Sequence, residues 1–308
     1  MNKTIDIICI GEVLIDFIGH EMSSLSCTEN FHKFLGGSPT NVATNAARLG
    51  LNAALVATCG QDGFGDFILK NLIKSNVITS NVKQIAAAPT TVIFVSKSTT
   101  TPEFIAYREA DFLINLDQIP DDFLAKTKIL HTTCFALSKN PARNTILETA
   151  KKGLMFNFRT SIDINYSNKI WTNSSDAFQI LEQYLSTKPL VKVSQDDCYR
   201  LFSETKTDAF IFEFFHNLGA ETICLTKGAN GVILSDRNLG VFHQEALPLQ
   251  KIQDATGAGD AFWTGFLYAQ LQNKNFQETI NIAQKMAILK LQNLGNIPNE
   301  IDVIDYLK

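Results

Sequence analysis

The chain has 308 residues, of which 45% are hydrophobic and 19% are charged, with 17 glycines and 8 prolines. Such a composition is typical of a globular protein with one large core, and it excludes disordered and collagen-like chains. The formal net charge of -4 supplies no basic field for a phosphate backbone, so we expect no nucleic-acid partner.

Short apolar runs recur along the chain and predict buried strands. The first, Ile5 to Ile10, ends at a glycine and is typical of a strand buried on both faces in a parallel sheet. Asp6, Glu12 and Asp16 interrupt the longer run to Ile18, which excludes a secretory or membrane-spanning segment. Further strands of this kind are predicted at Ala53 to Ala57, Ile129 to Thr132, Gly153 to Phe158, Leu190 to Val193, Glu221 to Leu225 and Gly231 to Leu234.

Helical stretches of about ten residues lie between these runs. Several of them end just before a glycine, which is the usual helix stop. The alternation of strands and helices predicts a three-layer α/β/α fold with a mostly parallel central sheet. The predicted helices are Asn41 to Leu49, Phe64 to Lys74, Ala142 to Lys151, Ala209 to Leu218 and Ala261 to Leu271.

Two segments, at about 16–34 and 90–108, break this alternation because they carry β-branched or alternating residues without a helix. Residues 96–103, which include Pro102, are interpreted as the hairpin connection of the second segment. We expect these strands to form a small β-sheet lid on a single domain of residues 1–308. Exposed apolar residues of the lid, namely Ile18, Phe94 and Phe104, lead to the hypothesis of a homodimer through it.

The six cysteines are scattered and include no C-x-x-C pair. Several lie inside apolar runs, so we interpret them as buried free thiols in a reducing compartment. The protein is therefore expected to be cytoplasmic, without a membrane partner and without a zinc site.

The strongest motif is the heptapeptide at residues 254–260, which precedes a helix-forming apolar run. Gly257 and Gly259 flank Ala258 and allow the backbone N–H groups to converge where a helix begins, which favours an anion with several oxygens. Asp260 would repel that anion unless a substrate hydroxyl stands between them. We therefore predict that Asp260 is the general base of a phosphoryl transfer, the alternative being an N-cap without chemistry.

A second motif surrounds the first predicted helix. Gly36 and Gly37 permit close approach of the backbone to a ligand, and Asn41 offers a donor and an acceptor to a polyol. A plain strand-to-helix turn is the alternative. Asp16 is expected at the carboxyl edge of the sheet, where α/β proteins bind ligands. The turn at residues 60–65 is interpreted as an Asp-capped helix start.

Together these motifs resemble the PfkB (ribokinase-like) family of carbohydrate kinases, and the resemblance extends over essentially the whole chain. It implies an ATP-dependent sugar kinase with Asp260 as base and an anion hole at Gly257, Ala258 and Gly259. The implied sugar contacts are Asp16, Gly36, Gly37, Asn41, Tyr107, Arg108 and Asn165. The implied nucleotide contacts are Lys192, Ser194, Thr226, Gly228, Gly231 and Gln284.

The resemblance also implies ATP and Mg²⁺ as cofactors and, in many members, K⁺. Backbone carbonyls of Asp254 and Thr256 match positions that hold K⁺ in those members. The Asn-x-x-Glu segment that orders Mg²⁺ in the family is replaced here by residues 194–197. Asp197 is therefore a shorter substitute for that metal-ordering glutamate.

Residues 11–17 and 37–41 look most like those of fructokinases. Ser167 stands where the family's Asp-x-Asn-x-Arg segment ends in arginine, and this loss of a guanidinium favours a neutral sugar, with fructose first. Arg159 could substitute from another angle, and residues 131–143 resemble 5-dehydro-2-deoxygluconokinases. The activities of a 5-dehydro-2-deoxygluconokinase and of a 2-keto-3-deoxygluconate kinase therefore remain alternatives.

Other kinds of protein are alternatives to a sugar kinase. A non-catalytic ribokinase-like protein that binds a sugar or a nucleotide would have no need for both the nest glycines and Asp260. A nucleoside or hydroxymethylpyrimidine kinase is a further alternative. A Rossmann oxidoreductase is disfavoured because the G-x-G lies near the C-terminus rather than after the first strand.

Overall fold

The computed structural model describes residues 3–98, 102–249, 251–298 and 301–307. Two sheets and a set of helices make up this part of the chain. The strands are β1 (Ile5–Ile10), β2 (Leu14–Gly19), β3 (Phe31–Gly36), β4 (Ala53–Gly60), β5 (Ile78–Ile85), β6 (Val92–Val95), β7 (Phe104–Tyr107), β8 (Thr127–Thr133), β9 (Arg159–Asp163), β10 (Leu190–Ser194), β11 (Thr222–Thr226), β12 (Val232–Asp236) and β13 (Gly240–Gln244). The helices are α1 (Ser38–Arg48), α2 (Gly63–Lys74), α3 (Asp121–Ala125), α4 (Ala142–Lys151), α5 (Gly153–Phe156), α6 (Ser174–Leu185), α7 (Gln195–Phe202), α8 (Asp208–Asn217), α9 (Ala258–Leu271), α10 (Phe276–Leu291) and α11 (Val303–Leu307).

Within the described residues, the larger sheet has nine strands in the order β13-β12-β11-β10-β9-β8-β1-β4-β5. The strands from β5 to β11 in this order run parallel, and β12 and β13 add an antiparallel edge. β1 lies between β4 and β8, and its residues from Ile7 to Ile10 are fully buried because helices cover both faces. The carboxyl ends of the parallel strands therefore meet at one edge, beside the lid.

Apolar clusters fill both faces of this sheet, and the predicted three-layer α/β/α fold is confirmed. On one face α4, α6, α7 and α8 pack on β1 and its neighbours, and on the other face α1, α2, α9 and α10 do so. The first face includes Ile8, Ile10, Leu130, Ile146, Leu181, Leu201 and Phe215. The second includes Ile7, Cys9, Leu55, Val42, Ile68, Phe266 and Ile280.

The strand predicted at Gly153 to Phe158 is wrong. Gly153–Phe156 is a helical turn whose Leu154 and Met155 side chains are 93% and 76% exposed. Asn157 then adopts a left-handed conformation with φ of 52°, and the strand begins only at Arg159. Leu154 and Met155 therefore lie at the surface while Phe158 is buried, and the hydrophobicity of the run alone gave a false strand signal.

The smaller sheet has the order β3-β2-β6-β7, with β2 and β6 parallel and the two outer pairings antiparallel. It forms from the two predicted lid segments, within which the strands have narrower bounds. Ser96 N–H donates to the carbonyl of Glu103 at 2.9 Å and closes the pairing of β6 with β7. Residues 99–101 of the predicted hairpin connection lie outside the described residues.

The inner face of the lid is apolar and includes Leu14, Ile18, Ile93 and Val95. Ile18 is only 2% exposed, so its predicted exposure is wrong. Strand alternation places Phe94 on the opposite face, where its ring stacks on Phe17 at 5.2 Å. Phe94 and Phe104 are half-buried.

Five of the six cysteines are buried free thiols, as predicted, whereas Cys27 is exposed in the connection between β2 and β3. Cys27 lies outside any apolar run, and this explains why the general interpretation fails there. In the described ranges, no helix has the length and hydrophobicity needed to cross a membrane.

Candidate active site

Asp260 lies in the first turn of α9 and is 7% exposed. Its Oδ1 accepts a hydrogen bond from Ser38 Oγ at 2.6 Å, and its Oδ2 accepts one from Asn41 Nδ2 at 2.8 Å. Both donors belong to the first turn of α1, so two helix N-termini meet at this carboxylate. Burial raises the pKa of Asp260, and the bonds from Ser38 and Asn41 oppose this by stabilising the charged form.

The predicted anion hole coincides with the start of α9. Gly257 caps the helix with φ of 76°, a conformation that favours glycine. A Cβ on Gly259 would lie 2.9 Å from Lys192 Nζ, so the absence of a side chain lets this ammonium approach the helix N-terminus. Amide groups and a lysine therefore converge beside Asp260, where they can stabilise an anion.

Lys192 on β10 forms a buried ion pair with Asp163 on the neighbouring strand β9, with Nζ and Oδ2 2.8 Å apart. Burial raises the pKa of Asp163 to about 6, and Lys192 opposes this rise. The surrounding carboxylates raise the pKa of Lys192 although burial alone would lower it, so the lysine stays charged. Asp163 Oδ1 is buried without a partner in the described residues and remains an open acceptor.

A cavity of about 260 Å³ lies between the lid and the sheet edge. Its floor is polar, and its roof is formed by apolar residues of the lid. The predicted residues that line it are Asp16, Gly37, Asn41, Asn165, Thr256, Gly257, Gly259 and Asp260. Lys192, which was predicted as a nucleotide contact, lines this cavity and not the second one described below. It is also lined by Glu12, Ser38, Phe135 and Asp163, which the sequence analysis did not assign to the site.

The carboxylate of Asp16, on β2, faces this cavity and makes no hydrogen bond to the described part of the chain. Burial, together with the charges of Asp260 and Asp254, raises its pKa to about 7. Gly36 lies opposite, and a Cβ there would clash with Asp16 Oδ2. The glycine therefore makes room for a carboxylate that is available to accept sugar hydroxyls.

Glu12 is a buried residue of the site that the sequence analysis noted only as an interruption of the first apolar run. Its Oε1 accepts from the Ser38 backbone N–H and its Oε2 from Thr133 Oγ1, both at 3.1 Å. Burial raises its pKa to about 8. The side chain fixes the start of α1, which in turn carries the donors to Asp260. An acidic residue within an otherwise apolar run is the signal that could have identified it.

The structure does not bring Tyr107 or Arg108 to the sugar cavity. Tyr107 is 58% exposed and its ring meets Phe94 on the outer face of the lid. Arg108 donates to Asp111 Oδ2 from Nε at 2.9 Å and from Nη2 at 2.6 Å, and it lies 4.0 Å from the ring of Phe135. Its guanidinium is therefore committed to the protein and supports the cavity wall from behind.

A second cavity, of about 710 Å³, lies on the other side of the anion hole. Thr226, Gly228 and Gly231 line it, as the resemblance implies, and Ala258 and Gly259 form its inner end. Its walls are largely apolar, with Val232, Leu247, Phe262, Ile288 and Leu291. The two cavities therefore meet at the N-terminus of α9.

Gln284 also lines this second cavity, but both ends of its amide are already engaged. Its Oε1 accepts from Leu247 N–H at 2.7 Å, and its Nε2 donates to the carbonyl of Glu245 at 3.0 Å. The side chain therefore holds the connection after β13 over the cavity. Its contribution to an adenine site is the shape of the wall rather than a free polar group.

Ser194 and Asp197 form the capping box of α7. Asp197 Oδ2 accepts from Ser194 Oγ at 2.6 Å, and Oδ1 is paired with Arg200 Nη2 at 2.7 Å. Because both oxygens are bound by protein donors, Asp197 does not fit a direct Mg²⁺ ligand. The described residues include no group of three or more His, Cys, Asp or Glu side chains that could hold a metal.

Asp254 and Thr256 lie in the loop before α9. Asp254 Oδ1 accepts from Thr256 N–H at 2.9 Å, and its Oδ2 is bound by Lys290 Nζ at 3.1 Å. The Asp254 carboxylate is therefore paired with the Lys290 ammonium. Thr256 faces the sugar cavity.

Comparison with known proteins decides the family. Residues 4–302 match the model of the pfkB family carbohydrate kinases. The chain belongs to the PfkB family. Together with its relatives, this makes it an ATP-dependent sugar kinase, a phosphotransferase that acts on an alcohol group.

Three similar proteins illustrate the range of PfkB kinases around this one. The ATP-dependent 6-phosphofructokinase of Thermoanaerobacterium thermosaccharolyticum is 29% identical over 303 residues, or 98% of this chain and 92% of that one. The fructokinase structure from Halothermothrix orenii is 32% identical, with a TM-score of 0.81 over 92% of this chain and 98% of that one. An uncharacterized sugar kinase from Pyrococcus horikoshii in complex with ATP is 27% identical, with a TM-score of 0.83 over 97% of this chain and 99% of that one.

Proposed function

We propose that this PfkB kinase is a fructokinase, which transfers the γ-phosphoryl group of ATP to a primary hydroxyl of fructose. The observation that carries the proposal is the position of Asp260. Its fixed carboxylate lies in the sugar cavity, and the N-terminus of its own helix lines both cavities. A hydroxyl and a terminal phosphate can therefore meet between this carboxylate and the helix N-terminus.

In this mechanism the sugar hydroxyl donates its hydrogen bond to Asp260. As the hydroxyl oxygen bonds to the γ-phosphorus, the bond to the β-phosphate oxygen breaks, ADP leaves and the proton passes to Asp260. Amides at Gly257 to Gly259 and the ammonium of Lys192 stabilise the charge on the transferring group. Mg²⁺ that enters with the nucleotide would supply further charge neutralisation, as is usual for this ion.

The preference for a neutral sugar follows from the charges that line the sugar cavity. Lys192 is the one basic residue among its described lining residues, and it is paired with Asp163. Arg108 is committed to Asp111. Arg159 cannot substitute because it lies at the amino end of β9, at the opposite edge of the sheet, 3.9 Å from Glu221. A carboxylate on the sugar would therefore lack a free guanidinium partner.

A second candidate is 6-phosphofructokinase, which the relative from Thermoanaerobacterium thermosaccharolyticum favours. A phosphate on the sugar would require a basic surface next to the cavity. Lys139 and Lys169 line a groove on the far side of Phe104, and Lys169 Nζ donates to the Phe104 carbonyl at 3.1 Å. This groove is the place where such a phosphate would bind.

The test is a coupled assay of ADP release with six acceptors: fructose, fructose 6-phosphate, ribose, glucose, 2-keto-3-deoxygluconate and 5-dehydro-2-deoxygluconate. We expect kcat/KM for fructose to exceed each of the others at least tenfold. A higher value for fructose 6-phosphate, lost in Lys139→Ala and Lys169→Ala, would establish the second candidate. A higher value for either acid sugar would contradict the neutral-sugar argument.

The proposal also includes the domain organisation, the partners and the cellular location of the protein. Residues 1–308 act as one kinase domain, in accord with a family match from residue 4 to residue 302. Its partners are the sugar and ATP, with no nucleic acid and no membrane. The buried free thiols and the use of ATP are in keeping with a cytoplasmic enzyme.

A further inference from the structure

Lys290 and Asp254 form a buried ion pair that has no part in the mechanism above. Lys290 Nζ lies 3.1 Å from Asp254 Oδ2 and 3.2 Å from the carbonyl oxygen of Asn293. Lys290 is 6% exposed and Asp254 is 1% exposed. Charges this deeply buried are rare unless they are paired, so a role for this lysine is to be expected.

The pair joins two loops of the active site. Asp254 Oδ1 accepts from Thr256 N–H at 2.9 Å in the loop before α9. Its Oδ2 accepts from Gly295 N–H at 3.1 Å in the loop after α10, which also contributes the Asn293 carbonyl. The Lys290 ammonium therefore binds the loop before α9 through Asp254 and the loop after α10 through the Asn293 carbonyl.

This charge lies directly behind the anion hole. Lys290 Cε is 3.7 Å from the position that a Cβ on Gly257 would occupy. The ammonium also acts on the catalytic carboxylate, because its charge favours the ionised form of Asp260. An ion at this point therefore influences both the shape and the electrostatics of the phosphoryl-transfer site.

The resemblance to K⁺-dependent members assigns a monovalent cation to the loop at Asp254 and Thr256. The structure disagrees with that assignment, because Lys290 Nζ already lies between the carboxylate of Asp254 and a backbone carbonyl. An ammonium carries the same single charge as K⁺ and, like it, binds oxygen atoms. A second cation at the neighbouring backbone carbonyls of Asp254 and Thr256 would be repelled by this ammonium.

We propose that Lys290 is a built-in monovalent cation, whose ammonium holds the loops at Asp254 and Asn293 around the anion hole so that the kinase requires no K⁺. Lys290 is a positioning residue, because it acts through Asp254 and lines neither the sugar cavity nor the second cavity. The proposal rests on the proposed fructokinase activity for its kinetic test only.

The first test uses the wild-type enzyme with its sugar and ATP. Potassium chloride is replaced by tetramethylammonium chloride at equal ionic strength, with magnesium unchanged. We expect kcat to stay within twofold. A loss of tenfold or more on removal of K⁺ would overturn the proposal whether or not any variant folds.

The second test is Lys290→Ala, which removes the ammonium and leaves space for an ion. We expect kcat to fall at least tenfold in tetramethylammonium chloride and to recover with K⁺ or Rb⁺, but not with Li⁺. A lysine with a merely structural role would give a loss that no ion repairs. Lys285→Ala is the matched control, since Lys285 lies on the same helix and donates to the Leu307 carbonyl at 3.0 Å.

Two further measurements separate this proposal from the proposed function. The thermal unfolding midpoint of Lys290→Ala should rise with K⁺ concentration while those of the wild type and Lys285→Ala stay level, and this readout needs no sugar substrate. Lys290→Met fills the side-chain volume and should lose activity in both salts. Full activity of Lys290→Ala without K⁺, or an unfolding midpoint indifferent to K⁺, would refute the role of Lys290.

Discussion

At the scale of single residues, the structure explains how one carboxylate is prepared for proton transfer. Ser38 and Asn41 each bind one oxygen of Asp260, and both donors are set by the start of α1. A carboxylate oxygen can accept more than one hydrogen bond, so lone pairs remain for a sugar hydroxyl. Glu12 fixes the same helix start from below, and therefore the orientation of Asp260 depends on residues far from it in sequence.

Replacing Asp260 by asparagine tests the proposed base. The amide keeps the shape of the side chain but cannot take the proton, so we expect kcat to fall by about 10²–10⁴. The KM for the sugar and the unfolding midpoint should change little. Asp122→Asn is the control, because that side chain is 75% exposed on α3. Retention of more than a tenth of wild-type turnover by Asp260→Asn would disprove the assignment.

Asp16 predicts how sugar binding depends on pH. With a pKa of about 7, its carboxylate is charged above pH 7 and accepts hydroxyl hydrogen bonds there. Below pH 7 the group is protonated, so the KM for fructose should rise as pH falls from 8 to 6. Asp16→Asn should have a high KM at every pH, and a wild-type KM that is level over this range would contradict the argument.

The same raised pKa has a consequence for stability. The folded protein holds the Asp16 proton more tightly than the unfolded chain, so this group costs stability as pH rises from about 4 to 7. Asp16→Asn removes that cost. Relative to the wild type, the variant should therefore gain more in unfolding midpoint at pH 8 than at pH 5.

At the scale of secondary-structure elements, the start of α9 carries most of the proposed chemistry. Gly259→Ala would place a Cβ 2.9 Å from Lys192 Nζ and force the ammonium away from the anion hole. We expect kcat to fall at least tenfold, while the unfolding midpoint holds or rises because alanine favours the helix. Gly63→Ala at the start of α2 is the control, since its Cβ would have no neighbour within 4 Å. Equal activity of the two variants would show that Lys192 does not act there.

Sequence patterns predicted the elements of the core well and those of the edges poorly. β1 and β10 are mostly apolar and buried, and the glycine motif before α9 marks both a helix start and a proposed binding site. β13 at the edge of the sheet has mostly exposed residues and was missed because no burial pattern exists there. Long-range pairings such as Lys192 with Asp163 were also missed, since strand order decides which residues become neighbours.

The fates of Tyr107 and Arg108 show the limit of motif transfer. Both match a family pattern, but the alternation along β7 turns Tyr107 outward. Asp111 lies three residues after Arg108 and captures its guanidinium. A local partner thus decides what a motif residue can reach, and the motif alone does not include that partner.

At the scale of the whole molecule, the lid has two different faces. Its inner face is apolar and covers the sugar cavity, and its outer face is partly exposed. Phe94 lies on the outer face beside Tyr107, and Ile105, the next exposed apolar residue of β7, is 45% exposed. Because aromatic residues are enriched at subunit interfaces and homodimer interfaces are more apolar than the rest of the surface, the homodimer through the lid stays a prediction of this arrangement.

Light scattering on the purified enzyme tests the dimer. We expect twice the mass of the 34.1 kDa chain, and the mass should halve in Ile105→Lys because a lysine charge would be buried at the interface. Leu116→Lys is the matched control. Leu116 is an aliphatic side chain of similar exposure, at 42%, and it lies outside the lid strands. A monomeric wild type at assay concentration would contradict the prediction, and equal dissociation of the two variants would place the interface elsewhere.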